Sequence, residues 1–153
     1  MPELDEELSD QIQELCDLGI DLADGGRFDK AREAYDMAWD LLPEPKTEWE
    51  EAFWILGNMG DAYFAQRDYA AGRDVLERAM QCRDAMGESF LHLRLGQCLF
   101  ELGDLERARK ELTLALENEA ETIFIDEDPK YLSLVMGGGG NGGQRIIRES
   151  EDS

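Results

Sequence analysis

Several residue types are scarce in this 153-residue chain, and each scarcity closes off a class of function. Histidine occurs once, as His92, and no nucleophile is tied to it by spacing. A packed side chain is the expectation there, not a general base. The three cysteines, Cys16, Cys82 and Cys98, are odd in number and lack C-x2-C spacing. That argues against a disulfide framework and against zinc, and predicts buried thiols. No stretch of 18 apolar residues exists, so no membrane span is expected. The acidic opening Met1-Pro-Glu-Leu-Asp-Glu-Glu7 has no apolar secretory core, and a cytoplasmic location is expected. Phosphate-loop chemistry finds no support, because the run Gly137 to Gly143 lacks a G-K-[ST] ending and follows no strand. Asp126-Glu127-Asp128 lacks the twelve-residue calcium pattern and reads as helix capping. No cofactor or metal is expected. Cations are the most telling shortage: fifteen Lys and Arg, four of them Lys, face thirty-six acids, for a net charge of −21. Such a field repels nucleic acid and anionic membranes and draws in a cationic protein. Acidic helix faces also serve solubility, and a high-salt habitat would leave the same composition, so both explanations stand beside the first.

What is present is a repeat. Gly19, Gly60 and Gly96 each follow an apolar residue, Leu18, Met59 or Leu95. Each is followed three residues later by Leu22, Tyr63 or Leu99. A small residue recurs twelve positions on, at Ala31, Gly72 and Ala108, and a large one four further, at Tyr35, Leu76 and Leu112. Small residues belong where two helices approach closely, and large ones fill the space beside them. The pattern resembles the tetratricopeptide repeat, a helix–turn–helix unit of roughly 34 residues. It implies an all-α α-solenoid of three hairpins over about 12–45, 53–86 and 89–122, within a domain spanning 1–136. Stacked units of this kind present a concave surface to a partner.

The spacing between the glycines is 41 and then 36 residues, so each of the first two units carries a surplus. Pro43 and Pro45 end the preceding helix. Thr47-Glu-Trp-Glu50 matches a capping box and predicts a long helix starting at Glu48. The second surplus is expected near Gly87, read as a helix stop. Copy two has Arg67 where its siblings have a turn glycine, Gly26 and Gly103. After the repeats, Asp128 and Pro129 form a good helix start. A short helix over about 129–136 is expected to cover the last repeat with Tyr131, Leu132 and Val135. The segment 137–153, glycine-rich and then polar apart from Ile146-Ile147, reads as a flexible, disordered tail that folding does not require.

In tetratricopeptide relatives, ligands meet the first helix of each unit, away from the Leu-Gly seam. Carrying that over residue by residue implies Asp17, Ile20 and Asp24 from copy one. It adds Trp54, Asn58, Asp61 and Phe64 from copy two, and Phe90, Arg94, Gln97 and Phe100 from copy three. Aromatic anchors ringed by charge suit an interface hot spot, although some of these rings could pack on one another or beneath the tail. The lysine and asparagine clamp for a C-terminal carboxylate is not evident; only Asn58 and Arg94 are candidates, beside Asp61.

A narrower resemblance lies in Tyr35-Asp-Met-Ala-Trp-Asp-Leu-Leu-Pro-Glu-Pro-Lys-Thr-Glu-Trp-Glu50, Trp54-Ile-Leu56, Gly60-Asp-Ala-Tyr-Phe64, Phe90-Leu-His-Leu-Arg-Leu-Gly-Gln-Cys98 and Asp128-Pro-Lys-Tyr-Leu132. These resemble the small tetratricopeptide proteins found beside bacterial Rhs-type polymorphic toxins. The likeness implies a non-enzymatic immunity protein that binds a basic toxin domain encoded nearby. Two other classes fit a small acidic three-repeat chain: a chaperone of a secreted translocator, and a scaffold that docks peptide termini.

Overall fold

The computed structural model describes residues 3–137, and among them the secondary structure is helical with no strand. Three helix hairpins follow in order. They are α1 (Glu6–Asp24) with α2 (Phe28–Leu41), α3 (Glu50–Ala65) with α4 (Tyr69–Ala79), and α5 (Ser89–Glu101) with α6 (Leu105–Glu119). The last helix, α7 (Pro129–Met136), occupies the predicted span. The expected all-α stack of three hairpins and a capping helix is therefore what forms. The tail expectation lies, from residue 138 onward, outside the described residues.

The repeated glycines set the hairpin geometry. A Cβ at Gly60 would lie 2.5 Å from Leu76 Cγ, and one at Gly96 would lie 2.7 Å from Leu112 Cγ. A Cβ at Gly19 would overlap the Tyr35 ring. In each unit the large residue of the second helix thus fills the space that the glycine of the first leaves open. The turns repeat as well. Gly26 and Gly103 sit at φ +80° and +89°, and Arg67 takes the same left-handed conformation at φ 64°. A side chain there costs about 1–2 kcal/mol in this region, which makes Arg67 a strained copy of its siblings. α3 packs on both α1 and α2, and α5 on both α3 and α4. The first helices touch one another, while each second helix meets the next hairpin mainly through its first helix. The first helices therefore form one continuous α1–α3–α5 face.

Two boundary expectations need correction. The capping box at Thr47 does not form. Lys46–Glu48 make a short 3-10 turn, Trp49 is extended, and α3 begins at Glu50 with no side-chain cap. At 16 residues it is shorter than the 19-residue α1. Tertiary bonds account for this: Thr47 O accepts from Arg83 N at 2.9 Å, and Trp49 Nε1 donates to Pro43 O at 2.9 Å. Gly87 likewise stops no α-helix. α4 ends at Ala79, and Gly87 closes a 3-10 turn, Ala85–Gly87, entered through Asp84 at φ 65°. The two surplus segments are joined, since Arg83 bridges to the backbone of Thr47 and Glu48. Pro43 acts as expected, with Leu42 extended before it. Lys46 Nζ then caps α2 by donating to the carbonyls of Trp39 and Leu42 at 2.9 and 2.7 Å.

Candidate protein-binding face

The α1–α3–α5 face divides into two unlike halves. In the first, α1 and α3 border a cleft of about 120 Å³ lined by Ile20, Ala23, Asp24, Tyr35, Asn58, Asp61, Ala62 and Ala65. Ile20 is 38% exposed, and Asp17 and Asp24 are open to solvent, Asp17 accepting from Gln13 at 3.1 Å. Asn58 stands half-buried and reaches the Cys16 thiol. Helix spacing explains the arrangement. Ile12, Cys16, Gly19 and Ala23 follow the buried side of α1, so Ile20 and Asp24 turn outward along the open edge. The result is an apolar floor with carboxylates at its rim. It suits a cationic side chain whose aliphatic stem lies on Ile20 and whose head reaches Asp24.

In the second half, the chain's own C-terminal segment covers the face. Arg94 on α5 donates to Asp61 on α3 at 2.8 Å and to Glu127 at 3.1 Å. Gln97 is fully buried, accepting from Arg94 at 2.6 Å and donating to Glu127 at 2.7 Å. Tyr131 of α7, 4% exposed, sets its ring edge-on to Phe100 at 5.2 Å between centroids and 6.4 Å from Phe64. Its hydroxyl donates to Glu101 at 2.6 Å. Phe64 also carries the Arg94 guanidinium at 4.7 Å and meets Tyr69 at 5.7 Å. Phe64, Arg94, Gln97 and Phe100 are thus tied into intramolecular packing in this structure. Trp54 is half-buried against the core, and Phe90, 37% exposed, leans on Phe53 and over Gly57.

Charge behaviour follows these contacts. Burial works to lower the Arg94 value, but Asp61 and Glu127 outweigh it and the guanidinium stays charged. Desolvation by the flanking helices pushes the Asp61 carboxyl up, and Arg94 pulls it back only in part. Burial drives the thiols of Cys16 and Cys98 up to about 11 and about 12, and raises that of Cys82. All three are inert packing groups at neutral pH. His92 is packed, as expected. It is 1% exposed, with Nδ1 at 2.7 Å from Glu111 and Nε2 at 2.8 Å from Met86 O.

Glu127 and Tyr131 were the contributors that sequence reasoning left outside the face. Asp128, accepting from Lys130 N at 3.0 Å, and Pro129 at the first helical turn do start α7 as predicted. Nothing in their local pattern says that the preceding Glu127 returns to α5. No described helix is long and apolar enough to cross a membrane.

A comparison with curated proteins finds no match. Residues 91–122, spanning all but the first two residues of α5 and the whole of α6, match the tetratricopeptide repeat. With the three hairpins built on one packing rule, that match supports a tetratricopeptide-repeat protein and hence a protein–protein interaction module.

Proposed function

We propose that this chain is an immunity protein. It binds a cognate bacterial toxin domain, basic in charge and encoded nearby, through the α1–α3–α5 face and neutralises it without chemistry of its own. The observation that carries the reading is the acid-rimmed cleft between α1 and α3, set in a chain of net charge −21. Its field speeds encounter with a cationic domain, and its shape gives a protruding Arg or Lys a seat. An extended secretion substrate fits less well. To lie across all three repeats it would have to displace Glu127 and Tyr131 from Arg94, Gln97 and Phe100.

The test is co-expression with the adjacent toxin domain. Wild type should restore growth and co-purify as a stoichiometric complex. The double variant Ile20→Glu, Asp24→Lys changes two exposed side chains at the cleft. It should stay helical yet weaken the complex about thirtyfold or more and lose protection. Full protection by that folded variant would remove the cleft from the interface. Absence of any complex with wild type would end the immunity reading.

A further inference from the structure

The two ends of the stack differ. α7 covers the C-terminal end, where Tyr131 packs beside Leu93 and Leu112. The outer face of the first hairpin has no such cover among the described residues. The repeat itself measures what is open there. Leu18 occupies the motif position of Leu95, yet Leu18 is 49% exposed and Leu95 2%. Leu15 and Leu22 correspond to His92 and Leu99, which the stack buries to 1% and 0%, whereas the two leucines remain half-open. On α2, Met37 is 58% exposed. Together these side chains line an apolar groove of about 220 Å³ between α1 and α2. In the interior repeats the same positions receive the preceding hairpin, so the groove has the shape that accepts a helix hairpin.

We propose that this face is a homodimer interface, in which α1 and α2 of one copy pack against α1 and α2 of a second. Charge argues for a second copy as the occupant. Along α1 the leucine stripe is edged by exposed Glu14 and Asp21, two helical turns apart on one side. Along α2 the groove is lined by Arg27 and Lys30 beside one acid, Glu33, which lies 3.6 Å from Lys30, so this edge carries two cations to one carboxylate. A two-fold axis sets the α1 edge of each copy against the α2 edge of the other, so acid meets base twice across one isologous contact. Elsewhere the chain's charge of −21 makes copies repel one another, so a face with its own cations is where two copies can meet. Leu18 lies about 160° around α1 from Ile20, so pairing leaves the α1–α3 cleft open.

Sedimentation equilibrium on the full chain tests this. Wild type should show a concentration-dependent monomer–dimer equilibrium. Leu18→Asp and Met37→Glu, at half-open positions and checked for helicity by circular dichroism, should each raise the dimer Kd about thirtyfold or more. Asp21→Lys and Lys30→Glu should each weaken pairing, and the two combined should restore it, because the opposed edges have exchanged sign. A wild-type monomer at all concentrations, or a dimer indifferent to Leu18 and Met37, overturns the proposal. So would a chain that dimerises only after truncation behind Met136, since its own C-terminal segment would then be the occupant.

Discussion

His92 offers a sharp test of the packing described above, because it is the chain's one histidine. Both ring nitrogens face acceptors, the Glu111 carboxylate at 2.7 Å and the Met86 carbonyl at 2.8 Å. A neutral imidazole donates from one nitrogen and cannot satisfy both; the imidazolium can. The Glu111 hydrogen bond accordingly raises the His92 value, with burial working against it and the Met86 carbonyl adding support. A raised folded-state value means stability that is fully present below the unfolded value, about 6.5, and lost as pH climbs through the folded one. Within that window the folded state holds up to one more proton than the unfolded. Stability should then fall by at most about 1.4 kcal/mol per pH unit, or about 3–5 °C in Tm for a domain of this size. The assay is thermal unfolding by circular dichroism from pH 6 to 9. Cys16 and Cys98 titrate above that range, at about 11 and about 12. In Glu111→Gln the neutral amide removes the main cause of the shift. That variant should lose about 1.5–3 kcal/mol near pH 6 and show a flatter pH profile than wild type. A wild-type Tm that does not change from pH 6.5 to 9, or an equal slope in the variant, would refute the doubly donating imidazolium.

Gly60→Ala should destabilise by about 1–3 kcal/mol, since the new methyl would lie 2.5 Å from Leu76 Cγ. Gly25→Ala, whose Cβ meets nothing closer than 3.6 Å, should be nearly neutral, and urea midpoints of the pair decide between them. Arg67→Gly should stabilise by about 0.5–1 kcal/mol. It relieves the left-handed strain at φ 64° but adds freedom to the unfolded chain; a lower urea midpoint than wild type would show that the Arg67 side chain contributes more than its backbone costs.

Local and repeated constraints were legible in the residues. The threefold pairing of Gly19, Gly60 and Gly96 with Tyr35, Leu76 and Leu112 depends on one rule of close helix approach, so its period alone implied three hairpins. Pro43 as a helix end and Asp128-Pro129 as a helix start act through their own backbone restrictions and needed no context. Packing between distant segments was not legible. Thr47 has the pattern of a capping box, but its carbonyl is held by Arg83, 36 residues later, and the helix starts beyond it. Gln97 carries the residue type of a partner contact, yet Glu127 returns across α5 and buries it. Leu18 and Leu95 share one motif position and differ in exposure because α5 packs on the hairpin before it, whereas among the described residues no hairpin packs on that side of α1. The sequence by itself determined the repeat, its turns and the acidic field, because these follow from short-range geometry and composition. The tertiary structure decided which first-helix residues stay open and which the chain covers itself, because that depends on where remote segments come to lie.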